Sequence, residues 1–206
     1  MNRLITILFC LLSLGATAQK PMKVLDEAAA AVRKAGSVKV SFTAATFSDG
    51  KELSSTTGTM LLKGKKMQLD TPEMKMWYDG ERQWTLLTGS DEVNSSVPTA
   101  KEMASVNPYS FISTYKKGYR MSMHETTLRG LAVYEVHMTA TKSANPAQEV
   151  YVDINKADYS PLCIRVRQDG EWNRISIHSL QGGMEFPDSD FTFPKDKYPD
   201  AEVIEL

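Results

Sequence analysis

The sequence predicts a mainly β protein with a few α-helices, arranged as a mostly antiparallel meander, on three observations. Ten or eleven short runs read as strands, the first of them alternating apolar and polar residues with a period of two. Gly, Asp and Asn-Pro signals separate these runs at short intervals, and helical periodicity is confined to the start of the chain and one interruption midway. A sheet of so many short strands must curl or close to cover its apolar face and protect its edges, which leaves the helices to plug the opening.

The elements follow in order. Lys20 to Lys34 reads as a helix: Pro21 suits a first-turn position, Ala28 to Ala31 are strong helix formers, and Gly36 supplies the stop. Leu25, Ala28, Ala29 and Val32 share one face of it. From Ser37 the period changes, with Val38, Val40, Phe42 and Ala44 alternating against Lys39, Ser41 and Thr43. Further strands are expected at Thr56 to Lys63, Met67 to Asp70, Met74 to Tyr78, Gln83 to Leu87 and Glu92 to Ser95. Asp79-Gly80 is the clearest hairpin signal among their turns. Pro98 to Tyr115 breaks the pattern and reads as two helical pieces, the first capped by Thr99, the second carrying an apolar stripe of Phe111, Ile112 and Tyr115. Strands resume at Tyr119 to His124, Leu131 to Ala140, Glu149 to Ile154, Leu162 to Arg167 and Glu171 to Leu180. A polar extension follows Phe193-Pro194.

Residues 1–18 have the composition of an export signal: basic Arg3, an apolar run from Leu4 to Leu14, then the small-x-small site Ala16-Thr17-Ala18. Cleavage is expected near Ala18-Gln19, leaving about 188 residues as a single exported domain. Cys10 lies inside the apolar run behind bulky Leu8 and Phe9, which argues against lipid attachment there. No later stretch reaches the ~18 apolar residues of a membrane span. The charge balance, about −2 once Arg3 is removed, gives no reason to expect nucleic acid. Only Cys163 remains after processing, in the apolar setting Leu162-Cys163-Ile164 of a buried, inert thiol.

Chemistry is hard to find. His124, His137 and His178 stand alone in separate strands, without the spacing of a metal site, and no cofactor motif is present. There is no nucleophile elbow, and the scattered carboxylates read as solvation, so the chain is expected not to be an enzyme. Lys63, Lys65 and Lys66 flank a turn, where solvation suffices to explain them. Methionine does stand out. Ten remain after Met1, and the residue suits both a pliable wall for varied apolar ligands and ordinary core filling.

Several segments taken together resemble the LolA family, carriers of lipoproteins to the outer membrane. They are Ser41-Phe42, Gly58-Thr59-Met60-Leu61-Leu62-Lys63 leading into Met67-Gln68-Leu69, Trp77-Tyr78-Asp79-Gly80-Glu81-Arg82-Gln83-Trp84, Glu92-Val93-Asn94 and the closing Phe191-Thr192-Phe193-Pro194. The resemblance implies an incomplete antiparallel barrel of about eleven strands, with helices as a lid over a hydrophobic cavity. Carried over by position, Phe42, Met60, Leu62, Met67 and Leu69 become sheet-side lining residues, with Leu25 and Val32 packing from the first helix. Phe111, Ile112 and Tyr115 become the lid. Both faces of the Met60 to Leu62 strand are apolar, so alternation leaves their direction open. Two departures stand out: the family's Phe-x-Trp strand has become Met67 and Leu69, and its Arg-Pro after the position of Lys63 is replaced by Gly64-Lys65. A lysine lacks arginine's planar fork, which puts the family's lid latch in question here.

What the resemblance implies of function is a periplasmic carrier of lipoproteins or their acyl chains. It is expected to be a monomer, to be loaded by an inner-membrane complex and to be relieved by an outer-membrane acceptor. Two other classes are weighed against it. A lipid- or lipoprotein-sensing module on the same fold is usually joined to a further domain, for which little chain follows Phe193. A periplasmic hydrolase would need an assembled nucleophile, base and orienter.

Overall fold

The computed structural model describes residues 21–99, 102–103, 118–143, 145 and 147–206. The first helix, α1 (Pro21–Ala35), stops at Gly36, whose φ of 68° no β-carbon opposes. Among the described residues twelve strands follow: β1 (Val38–Ser48), β2 (Lys51–Lys63), β3 (Lys66–Asp70), β4 (Met74–Tyr78), β5 (Gln83–Leu87), β6 (Glu92–Ser96), β7 (Tyr119–Leu128), β8 (Leu131–Ala140), β9 (Glu149–Asn155), β10 (Pro161–Gln168), β11 (Glu171–Gln181) and β12 (Glu202–Glu205). The expected strands are all present, and β2 and β7 run longer than their alternation suggests.

These strands form one sheet in the order β12-β6-β5-β4-β3-β2-β1-β11-β10-β9-β8-β7. The two ends do not pair with each other, so the barrel is incomplete. Every pairing is antiparallel except β12 with β6. The polar extension expected after Pro194 therefore contains a twelfth strand, laid parallel along Glu92–Ser95. Its four residues carry too little alternation to announce it, and the pairing is non-local.

Turn chemistry explains the regularity. At the β2–β3 corner Lys63 opposes Lys66, and Gly64 takes φ 60° at the first of two loop residues, as a type II′ hairpin requires. The four-residue loop after Tyr78 is held by Asp79, whose Oδ1 accepts from the backbone N–H groups of Glu81 and Arg82 at 2.9 and 2.8 Å.

The inner face carries the main core. Val38, Val40, Phe42, Met60, Leu62, Met67, Leu69 and Met76 from one half of the sheet meet Tyr134, Val136, Met138, Val150, Val152, Ile154, Ile164 and Ile177 from the other. Val24, Leu25 and Ala28 of α1 are buried in the same cluster. The outer face of β4–β6 has a second core, in which Trp77, Leu86 and Val93 are covered by Phe193, Tyr198 and Ala201. Trp77 meets the Phe193 and Tyr198 rings edge-on, with centroids 5.5 and 6.0 Å away. The C-terminal segment is thus a strap across the outside of the sheet.

Candidate functional site

An apolar cleft of about 330 Å³ lies on the inner face. Its floor is the three-strand ridge β2-β1-β11, where alternation brings side chains from facing strands into rows. Val40 opposes Met60 and Leu180; Phe42 opposes Gly58 and Ile177; Ala44 opposes Thr56 and Ile175. A register shift between Ser41 and Phe42 keeps Leu180 and Ile177 on the same side as their β1 partners. Leu69 and Met74 bound the cleft from β3 and β4.

Burial settles what alternation left open in β2. Met60 and Leu62 are buried, opposite Leu69 and Met67 respectively, while Leu61 is half-buried on the other face. Of the residues expected to line a cavity, Phe42, Met60 and Leu69 do border this cleft. Leu62, Met67 and Leu25 lie in the packed cluster instead, and Val32 is partly buried against it. Phe111, Ile112 and Tyr115 lie outside the described residues. Val40, Ala44, Ile175 and Ile177 are lining residues that sequence reasoning missed. Their signal was there: Val40 and Ala44 share the parity of Phe42, and Ile175 alternates with Ile177.

The methionines converge. Met60, Met67, Met76 and Met138 are buried in the inner cluster, and Met22, Met74, Met103, Met121 and Met123 are partly buried against it. Nine of the ten after Met1 thus share one environment, leaving Met184 at the surface. Unbranched side chains with three rotatable bonds give this wall more ways to repack than Leu or Ile would.

Polar groups gather elsewhere. The three histidines stay apart: His137 stacks on Tyr151 and meets Glu149 at 2.8 Å, His124 lies 3.2 Å from Glu135, and His178 bonds Thr43 at 2.7 Å. Among the described residues no group of His, Cys, Asp and Glu could hold a metal ion. On the outer face Arg165 bonds Glu135 and lies 3.5 Å from Asp153. Burial pushes the Asp153 carboxyl above its ordinary range, and likewise pushes the neighbouring Cys163 thiol up, as its apolar setting led us to expect. A thiol so held is a poor nucleophile.

The Lys63 and Lys66 ammonium groups are tied down rather than merely solvated. They lie 2.9 and 2.7 Å from the two carboxylate oxygens of Asp188, and Lys63 also donates to the Phe186 carbonyl at 2.8 Å. This clamps the start of the C-terminal strap, just ahead of fully buried Phe191. Ahead of helical Glu102 and Met103, Thr99 caps as expected: its hydroxyl accepts from the Glu102 N–H at 3.3 Å, and the Glu102 carboxylate accepts in return from the Thr99 N–H at 2.7 Å.

An open sheet with an apolar inner cleft and a helix packed into its inner core belongs to the class of incomplete barrels rather than closed ones. The chain belongs to the family described as outer membrane lipoprotein carrier protein LolA, whose sequence pattern matches residues 11–170. Among curated proteins, none matches it. Solved structures share the fold at low identity. An uncharacterised conserved protein from Thermus thermophilus is 10% identical with a TM-score of 0.61, over 91% of this chain and 100% of that one. The Mycobacterium tuberculosis lipoprotein LppX is 9% identical at 0.53, over 83% and 100%. LprF from Mycobacterium bovis is 10% identical at 0.51, over 81% and 95%.

Proposed function

We propose that this protein is a periplasmic carrier that shelters the acyl chains of lipoproteins in its inner cleft and ferries them toward the outer membrane. The observation that carries the reading is the cleft itself, floored by Val40, Phe42, Ala44, Ile175 and Ile177 and walled in part by pliable Met60 and Met74, in a chain of the lipoprotein-carrier family. Residues 1–18 would direct export and be removed near Ala18-Gln19. Phe42, Met60 and Leu69 would touch the ligand; Leu62, Met67, Leu25 and Val32 would form the deformable base beneath it, and Phe111, Ile112 and Tyr115 the lid.

At ~0.8 kcal/mol per buried methylene, one long acyl chain gains on the order of ten kcal/mol in such a site. Spontaneous release would then be slow, so a carrier of this kind needs an inner-membrane complex to load it and an outer-membrane acceptor to relieve it. No step in this cycle requires bond chemistry or a cofactor.

The test is recovery of acylated material. The chain purified from native periplasm should carry lipoproteins detectable by mass spectrometry, and Phe42→Glu, which sets a charge in the apolar row, should carry about tenfold less. Equal recovery with both proteins would remove the cleft from the mechanism.

A further inference from the structure

The inner groove is not uniform along its length. The rows of the β2-β1-β11 ridge begin with Val40, Met60 and Leu180, continue through Phe42 with Ile177 and Ala44 with Ile175, and end with Thr46 opposite Ser54 and Asn173. Six residues of extended strand separate Val40 from Thr46, on the order of 20 Å at about 3.4 Å per residue. Over that distance the inner surface passes from wholly apolar to wholly polar. The polar end forms a second cleft of about 430 Å³ that shares Ala44, Thr56, Glu73 and Ile175 with the apolar one, so the two are continuous.

The charged groups at this mouth are few. Among the described residues lining the two clefts, Glu73 is the one acid and Arg174 the one base. Alternation assigns Arg174 to the outer face, and its guanidinium is 4.6 Å from the Phe47 ring centroid and 3.8 Å from Glu52. Glu73 faces inward: its Oε2 accepts from the Thr56 hydroxyl at 2.6 Å, a bond that holds the carboxyl below its ordinary range and so keeps it ionised. Beside it the Thr46 hydroxyl donates to the side-chain carbonyl of Asn173 at 3.0 Å, and Ser54 is exposed.

We propose that the groove selects amphiphiles by head group, with the hydrocarbon tail running toward Val40 and Met60 and an uncharged hydroxyl- or amide-bearing head at Thr46, Ser54 and Asn173, where Glu73 repels phosphate and carboxylate heads. This rests on reading the inner cleft as an acyl-chain site and adds its direction and its ligand class. The exposed hydroxyls and the Asn173 amide offer both donors and acceptors to a glycerol or amide head. An ionised Glu73 set among them accepts hydrogen bonds from such a head, while an anion placed there meets like charge at close range.

Displacement of an uncharged naphthylamine probe tests this. The competitors are a monoacylglycerol, a lysophosphatidate and a fatty acid of one acyl length. The monoacylglycerol should displace the probe at about tenfold lower concentration than either anion. In Glu73→Gln that ratio should shrink severalfold, and Thr46→Val with Ser54→Ala should shrink it from the other side by weakening the monoacylglycerol. Because the readout is a ratio, it does not depend on the fraction of active protein. Equal displacement by all three, a preference for an anion, or a ratio unmoved by Glu73→Gln overturns the head-group assignment while probe binding leaves the cleft reading standing. Failure of the probe and of every competitor to bind overturns the cleft reading as well.

Discussion

The ring of Phe42 lies against Gly58 on the facing strand, so close that its Cζ stands 2.8 Å from where a β-carbon on Gly58 would be. The same point is 2.8 Å from the Asp70 carbonyl oxygen and 2.9 Å from Thr71 Cγ2. Glycine is thus what lets the aromatic ring settle onto the floor of the cleft. A swing of Phe42 alone cannot admit a methyl group there, because the Asp70 carbonyl is backbone. Gly58→Ala should therefore cost about 1–3 kcal/mol, the usual range for overpacking, and lower Tm by roughly 2–4 °C per kcal/mol. Thermal unfolding followed by circular dichroism measures it. An unchanged Tm would mean that β2 stands farther from the Phe42 ring than here.

Asp188 supplies a test in pH. The hydrogen bonds and charges of Lys66 and Lys63 hold its carboxyl down to about 2, against 3.8 for an ordinary aspartate. The unfolded chain thus binds this proton first as acid is added. The stabilisation is complete above the unfolded value and disappears as pH falls through the folded one. Asp188→Asn should accordingly be less stable than the parent at pH 7, and the gap should narrow from about pH 4 and close near pH 2. Asp188 and Lys63 are solvent-exposed and Lys66 is partly so, and the gap should also shrink with added salt. Urea unfolding across this range decides it, and a gap that ignores both pH and salt would show that the clamp contributes nothing electrostatic.

Much of this was legible in the residues themselves. Turn chemistry at Asp79-Gly80 and the alternation of β1 marked strands and corners directly, and Gly36 marked the end of α1. What local pattern could not supply was set by partners far away in sequence. Both faces of Met60-Leu61-Leu62 are apolar, and only the pairing of Met60 with Leu69 and Leu62 with Met67 fixes the inward set. Ile175 and Ile177 reach the cleft because a bulge beside Phe42 realigns β11. The β12 strand reads as polar tail because its pairing surface is backbone, and backbone hydrogen bonding leaves no mark on composition. The clamp on Asp188 escaped notice for a related reason, since a lysine pair beside a turn looks the same whether or not a carboxylate more than a hundred residues later comes to meet it.

Two methionines of the inner face separate packing from binding. Met67 is 1% exposed and belongs to the buried cluster, whereas Met74 is half-buried on the rim of the cleft. Met67→Ala removes buried atoms from a site closed on all sides and should cost about 2–5 kcal/mol. Met74→Ala removes a side chain already partly in water and should cost under about 1 kcal/mol, yet it should alter probe affinity because it widens the cleft. Denaturant titration and probe binding on both variants make the comparison. Equal destabilisation would show that the rim is as tightly packed as the base.

The outer-face cluster carries the last prediction. Asp153 is almost fully buried, and burial is the main reason its carboxyl titrates high; Arg165, 3.5 Å away and bonded to Glu135, pulls the other way. Arg165→Met leaves both carboxyl groups without their cation and should cost about 3 kcal/mol at pH 7. Because the folded state then holds the Asp153 proton still more tightly, stability is greatest below the ordinary carboxylate value and is lost as pH rises toward the raised one, more steeply than in the parent. Adding Asp153→Asn removes the group that resists ionisation, so the double variant should regain more than about 1 kcal/mol at neutral pH and lose most of that slope. Urea unfolding of the parent, the two single variants and the double variant from acid to neutral pH closes the cycle. If the second substitution restored nothing and left the slope intact, Arg165 would be acting through its packing on the Tyr151 ring, 4.6 Å from its guanidinium, and not through charge.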